Sequence, residues 1–249
     1  MTASLAPHPL PEDACDLVTF TRPAPGYRLA FVSIPGFLKC CLAKAVPADF
    51  RTAPPLVFVQ QDFRQMFLGA DEIARVNRFK ALKKQVEWMA GRYAVKHLAR
   101  RFLDGRPHPA TTRVAYRAQG APYLVQAPAV PLSVSHSWAH AAAGMGLSPA
   151  GRLGLDLERI RPASRETLLR TAFSDREVAA LVSADDAALF LRWTAKEAYL
   201  KAIGKGFHES LKRVEILNAR IWHHHRPVPS LTLHSHLPYP GYAFSWVCP

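Results

Sequence analysis

Two stretches of this chain hold the residue types that do chemistry at spacings that bring them together. The first is residues 190–206, FLRWTAKEAYLKAIGKG, where Leu189, Trp193, Leu200 and Ile203 recur at helical spacing and Gly204 and Gly206 supply a stop. Glu197 stands one turn after Trp193 and one turn before Lys201, so a carboxylate and an ammonium share the edge of a packed face. Lys201 and Lys205 repeat the spacing and point two cations the same way. Surface helices also carry Glu–Lys pairs four apart, worth only about 0.2–0.5 kcal/mol. The second stretch is Gly154-Leu155-Asp156-Leu157-Glu158. Read as a strand, it projects Asp156 and Glu158 to one side while Leu155 and Leu157 face the core. Two adjacent hard oxygen donors suit Mg²⁺, which takes one or two carboxylates together with water and substrate phosphates. A solvated strand face accounts for that pair alone. Glu197 as a third carboxylate makes it a cation site, and Lys201 is then placed to neutralise a phosphate bridged by the cation.

Other polar clusters read less sharply. Ser133-Val134-Ser135-His136-Ser137 sets hydroxyls and an imidazole at a strand end, but no G-x-S-x-G elbow supports a hydrolase triad. His136 and His140 are four apart as in a zinc helix, yet the intervening sequence HSWAH lacks the HExxH glutamate. His223-His224-His225 reads as an exposed strand end or loop that binds metal only adventitiously.

The elements that position these residues lie in a chain of 249 residues, 49% of them hydrophobic, long enough for a sizeable core. The opening MTASLAPHPLPEDA has neither a basic leader nor an apolar segment, so no signal peptide is expected, and no run is long enough for a membrane span. Cys15, Cys40, Cys41 and Cys248 form no CxxC pair and no disulfide framework, which fits a reducing cytoplasm. The net charge of +13 favours an anionic partner. Much of it sits between Arg75 and Arg101, where nine basic residues face one acid, Glu87.

Residues 1–55 read as proline-rich loops with short strands such as 28–33, and residues 56–60 as a buried strand. Val76, Phe79, Leu82, Val86, Met89 and Tyr93 recur every three or four residues, so 71–102 is one or two amphipathic helices. Their polar face carries Arg75, Arg78, Lys80, Lys83, Lys84, Arg92 and Lys96. Residues 112–117 read as a strand before a turn at Gly120-Ala121-Pro122. Residues 131–136, 140–146 and 152–158 read as a three-stranded meander. Helices are expected over 164–173, 174–183 (Ser174 with Glu177 as a capping box) and 186–204, and strands over 214–222, 230–235 and 243–247. The class is α+β, with two pseudo-duplicated α/β halves, 1–127 and 128–249, although no repeat is legible in the letters.

SVSHS at 133–137, GLDLE at 154–158 and WTAKEAYLK at 193–201 resemble, in order and near spacing, the three signature elements of the 4′-phosphopantetheinyl transferase superfamily. Ala90-Gly91-Arg92-Tyr93 is similar to a further element of its larger, monomeric Sfp/enterobactin-synthetase type. The similarity covers about residues 75–206. It implies a cleft between two similar halves and transfer of the phosphopantetheine arm of coenzyme A to a serine on an acidic acyl or peptidyl carrier protein, releasing adenosine 3′,5′-bisphosphate. It further implies Mg²⁺ (or Mn²⁺) on Asp156, Glu158 and Glu197. Ser135 and His136 would contact coenzyme A around its 3′-phosphate, Arg92 and the basic face from Arg75 would hold the nucleotide, and Lys201 and Asp156 would lie at the diphosphate. Glu197 is the general base in this scheme, with a water on the cation as the other candidate. Many relatives carry lysine where Ala121 stands; Arg117 or a cation of the 75–84 run would have to compensate. Two other readings compete: a basic nucleic-acid-binding module on 75–101, and a family member that binds coenzyme A or carrier protein without turnover. Neither a membrane nor nucleic acid is expected as partner under the transferase reading.

Overall fold

The computed structural model describes residues 17–42, 50–58, 67–149, 151–161 and 165–249. The chain runs β1 (Val18–Ala24), β2 (Tyr27–Ser33), α1 (Ile34–Leu42), α2 (Ala70–Val76), α3 (Leu82–Phe102), β3 (Val114–Tyr116), β4 (Pro122–Leu124), β5 (Leu132–Ser137) and β6 (His140–Gly146). It continues with β7 (Gly154–Arg159), α4 (Arg165–Ala172), α5 (Asp175–Leu181), α6 (Asp186–Ala202), β8 (Val214–Leu217), β9 (Arg220–His223), β10 (Arg226–Pro227), β11 (Thr232–His236) and β12 (Tyr242–Cys248). The class is mixed α+β with antiparallel sheets, in the orders β1-β2-β6-β5, β10-β9-β8, β11-β12-β7 and β3-β4. Among the described residues no helix is long and apolar enough to cross a membrane.

Each long helix covers a sheet. Leu82, Val86, Met89, Ala90 and Tyr93 of α3 are buried with Ala30, Val32, Ala141 and Ala143 from β2 and β6. Ala195, Ala198 and Leu200 of α6 pack with Val214, Ile216 and Val247, while its other flank, Leu189 and Phe190, meets Leu168, Phe173 and Ala243. The apolar stripe anticipated for 190–206 is therefore wider than one face, as a helix packed on two sides requires.

The expected meander is only half present. β5 and β6 form the hairpin, with Ser137 opposite His140, but β7 leaves it and pairs with β12, Asp156 opposite Ser245. The expected strand at 214–222 is a hairpin, because Asn218 and Ala219 take φ of 50° and 58°, which turns the chain sharply between β8 and β9. Residues 56–58 join no sheet, and residues 59–60 lie outside the described residues. Two side-chain amides, buried Gln85 and exposed Asn77, stand in for a neighbouring strand. Gln85 accepts from the Leu56 amide at 2.9 Å and donates to the Leu56 carbonyl at 2.8 Å, and Asn77 serves Phe58 likewise at 2.9 Å.

The basic face of 71–102 also needs correcting. Arg92 and Lys96 are buried, and both turn to Glu72: Lys96 donates to Glu72 Oε2, and Arg92 Nε lies 3.3 Å from Oε1. A matching arrangement recurs in the second half. Lys196 is fully buried on α6, and its ammonium places three donors on Glu177, the Ala172 carbonyl at 2.7 Å and the Leu211 carbonyl at 3.1 Å. Glu72 and Glu177 each sit at the third position of a short helix and reach back to its cap, to the amides of Gly69 at 3.0 Å and Ser174 at 3.1 Å.

Breaking such a buried pair from one side strands a charge. Lys196→Met is expected to cost about 3–5 kcal/mol. Adding Glu177→Gln should restore a large part of that, since the amide oxygen still accepts from the Ile216 or Ser174 amide. Urea melts of the two variants check this; a double variant no more stable than Lys196→Met would contradict it.

Candidate active site

The two expected catalytic stretches meet where the edges of two sheets touch. β5 ends one sheet and β7 ends another, and the serines of β5 join them in place of a backbone ladder. Ser133 Oγ accepts from the Leu155 amide at 3.0 Å, Ser135 Oγ donates to Asp156 Oδ1 at 2.8 Å, and Ser137 Oγ donates to Glu158 Oε2 at 2.8 Å. Ser137 also accepts from the Arg159 amide at 3.1 Å. The strand period of two puts all three hydroxyls on one side, so the S-x-S-x-S spacing is what orients both carboxylates. Ser137 had no role assigned from the letters; its alternation with Ser133 and Ser135 was the available signal.

On the other side lies α6. Lys201, in its last turn, donates to the same Asp156 oxygen at 2.6 Å. Asp156 is buried, and its second oxygen, Oδ2, has no hydrogen-bond partner. Burial and then the Asp156 charge push the Glu158 carboxyl up to about 7 and raise Glu197 in the same sense. Both glutamates thus feel Asp156. The three acids are neighbours without closing a cage, since they present no set of three oxygens mutually within 4.8 Å. Like charges on hard oxygen donors, together with a buried orphan oxygen, fit a divalent cation.

Asp156, Glu158 and Lys201, with Ser135, His136 and Arg92, help to line a cleft of about 600 Å³, whereas buried Glu197 is not among its lining residues. That size lies within the range of small-ligand pockets. Burial, with Lys201 and Lys84 nearby, pushes His136 down to about 4, so its imidazole is neutral at neutral pH. Its Nδ1 stands 3.7 Å from Glu87 Oε2. α3 comes close to this strand at Gly91, where an added Cβ would lie 3.1 Å from Val134 Cγ1.

Arg92 reaches the cleft between two rings, 4.6 Å from the Trp88 centroid and 5.1 Å from that of Tyr116, and donates to the Tyr116 hydroxyl at 2.7 Å. Arg75 does not line the cleft; it lies behind, 4.8 Å over Tyr116 and 5.9 Å over Trp88. The aromatic pair was not anticipated, since Trp88 and Tyr116 are far apart in sequence and single aromatics carry no signature. Ala121 lines the cleft as expected. Arg117 does not substitute for a lysine there, because it donates to the Pro128 carbonyl at 2.7 Å and stacks over Tyr123. Lys84, from the 75–84 run, is the cation that does line the cleft.

The model of the 4′-phosphopantetheinyl transferase superfamily matches residues 152–244, which includes β7 and α6 and reaches the start of β12. Over 157 residues the chain is 34% identical to the 4′-phosphopantetheinyl transferase HetI of Nostoc sp., covering 60% of this chain and 64% of that protein. It is 33% identical over 157 residues to the protein slr0495 of Synechocystis sp., covering 60% of this chain and 62% of the relative. The chain thus spans less than two thirds of the length of these curated relatives. The matched segment holds Asp156, Glu158, Glu197 and Lys201 together, and over it the chain is similar to the 4′-phosphopantetheinyl transferase superfamily.

Proposed function

We propose that this chain transfers the 4′-phosphopantetheine arm of coenzyme A to a serine hydroxyl of an apo acyl or peptidyl carrier protein. The observation that carries the reading is Asp156: one oxygen is held by Ser135 and Lys201, and the other is buried and unpartnered at the cleft. The name borne by HetI and the family match over the same segment support it.

The reaction is a displacement at the β-phosphorus of a diphosphate. The carrier serine oxygen forms a bond to that phosphorus, and the bond to the adenosine 3′,5′-bisphosphate oxygen breaks. Such reactions depend on positioning and on neutralising charge. Asp156, Glu158 and Glu197 would hold Mg²⁺ or Mn²⁺, which supplies positive charge at the diphosphate. Glu197 takes the proton of the serine hydroxyl. Lys201 offsets charge on the leaving oxygen. Arg92, clamped between Trp88 and Tyr116, and neutral His136 with Lys84 hold the nucleotide end, with Arg75 behind them.

Arg51, Arg159 and Lys83 gather on the Trp138 ring at 3.5, 4.2 and 5.9 Å, a cationic patch beside Glu158 that suits an acidic carrier. The paired Glu72–Lys96 and Glu177–Lys196 arrangements support a molecule of two related halves, 1–127 and 128–249; a monomer in a reducing cytoplasm completes the reading.

The test is incubation with coenzyme A, Mg²⁺ and a panel of apo carrier proteins, read by mass. The expected result is the mass of one phosphopantetheine on a carrier serine, lost on chelation and restored by Mg²⁺. No addition to any carrier, with no binding of coenzyme A, would overturn the reading.

A further inference from the structure

Outside the cleft, one group of side chains has ligand chemistry that the transfer reaction leaves unused. β9 ends at His223, and His224 follows in a turn at φ 50°, tied by its amide to the Arg213 carbonyl at 2.9 Å. Glu209 comes to the same place from the short helical turn Gly206–His208. Its Oε2 lies 3.8 Å from His223 Nε2 and 3.9 Å from His224 Nε2, and the three ligand atoms are mutually within 4.8 Å. We propose that Glu209, His223 and His224 form a second divalent-metal site, suited to a borderline transition ion such as Zn²⁺.

Three arguments carry this. A zinc ion bound at about 2.0–2.1 Å holds its ligand atoms about 3.3–3.6 Å apart, so each ligand need shift by less than about 1 Å. His223 Nε2 is buried and has no hydrogen-bond partner, an arrangement that costs free energy unless something is bound there. The other ring nitrogen, Nδ1, lies 3.0 Å from the Tyr199 hydroxyl. With Nδ1–H donating to the phenol oxygen, Nε2 keeps its lone pair turned toward Glu209, the outer-shell support that metal-bound histidines usually have. Burial and the neighbouring His224 further hold His223 neutral and ready to ligate.

Glu209 is not idle without an ion. It accepts from Lys205 at 3.3 Å and from Arg213 at 3.1 Å. Both cations have half-exposed side chains and are weak surface partners that water can replace. Two imidazoles select against Mg²⁺, so the cation of the cleft does not compete here. The site adjoins the cleft along the chain, since Gly204, Gly206 and His208 line it immediately before Glu209. An ion on Glu209 therefore pins the segment that borders the substrate end of α6.

The experiment is calorimetric titration of the untagged 249-residue chain with ZnCl₂ in millimolar Mg²⁺, alongside His224→Asn and Asp156→Ala. Asparagine tolerates the left-handed turn, so His224→Asn keeps the fold. The expected result is one Zn²⁺ per chain, at least about tenfold weaker in His224→Asn and unchanged in Asp156→Ala. Absence of binding, affinity indifferent to His224→Asn, or loss in Asp156→Ala would each overturn the proposal. None of these outcomes depends on transferase activity.

Discussion

If the proposed transfer reaction holds, replacing Asp156 by alanine is expected to lower phosphopantetheine transfer by about 10³-fold or more and to leave the melting temperature within a few degrees. The activity loss follows from the position of this carboxylate. Of the three acids it is the one hydrogen-bonded from both sides of the seam, by Ser135 of β5 and Lys201 of α6, and its other oxygen is buried without a hydrogen-bond partner. Removing one preorganised electrostatic contact from such a site commonly costs about 10²–10³ in rate, and a charged cation ligand should lie at or beyond that upper end. Stability should change little because two effects oppose. The variant leaves the Ser135 hydroxyl and the Lys201 ammonium without their partner, but Lys201 is a quarter exposed and can turn to water. It also removes the Asp156 charge, which after burial is the next cause raising Glu158 and Glu197, so the repulsion among the three acids is relieved. Asp156→Asn separates charge from shape, since it keeps an acceptor for Ser135 and should be nearly as inactive. Single-turnover assays at saturating coenzyme A, together with melts, check both variants. An active Asp156→Asn would remove the cation from the proposed chemistry.

The placement of the candidate residues along their elements was legible because it is carried by local periodicities. Asp156 and Glu158 share a strand face, and Glu197 and Lys201 share a helix edge. Each is a statement about neighbours in sequence, and the letters hold it. What they could not hold is which edges meet. β7 follows the β5–β6 hairpin closely, so a meander is the natural reading. Its actual partner, β12, lies more than eighty residues away, chosen by packing against α6 rather than by chain proximity. The same limit hid the charges of α3. Arg92 and Lys96 look like members of a solvated basic face until Glu72, on a separate helix, is seen to bury them. It also hid a local arrangement that occurs twice. Arg92-Tyr93-Ala94-Val95-Lys96 and Arg192-Trp193-Thr194-Ala195-Lys196 are too different to register as a repeat, yet Lys96 and Lys196 each meet the glutamate that caps a preceding short helix. Buried polar contacts across elements have no period, so sequence reading finds them only after the fold is known.

Gly154→Ala is expected to be the most damaging single methyl group that can be added to this protein. Gly154 begins β7 two residues before Asp156, and there the strand lies directly on the backbone of α6. A Cβ built on it would stand 1.9 Å from the Ala198 carbonyl oxygen and 2.4 Å from the Ala202 amide nitrogen. Those atoms are the two ends of one helical hydrogen bond, so the methyl group would be driven into the ladder of α6 itself. No side chain can yield there, because the obstacle is main chain. The strand must retreat from the helix or the helix must open. Overpacking of well-packed cores costs about 1–3 kcal/mol where side chains can adjust, and this contact should reach or exceed the top of that range. Function should suffer even in molecules that fold. Asp156 and Glu158 ride on the strand, whereas Glu197, adjacent to Ala198, and Lys201, adjacent to Ala202, ride on the helix. Retreat therefore separates the two halves of the acidic site, and a displacement of about 1 Å can cost about 10²-fold in rate. Gly105→Ala serves as the control. Its φ of 74° disfavours a side chain, but nothing lies within 4 Å of the new methyl. It should lose about 1–2 kcal/mol from backbone conformation alone and keep its turnover. If Gly154→Ala instead melted like Gly105→Ala and transferred at the normal rate, the close seating of β7 on α6 would not be what sets the spacing of the carboxylates.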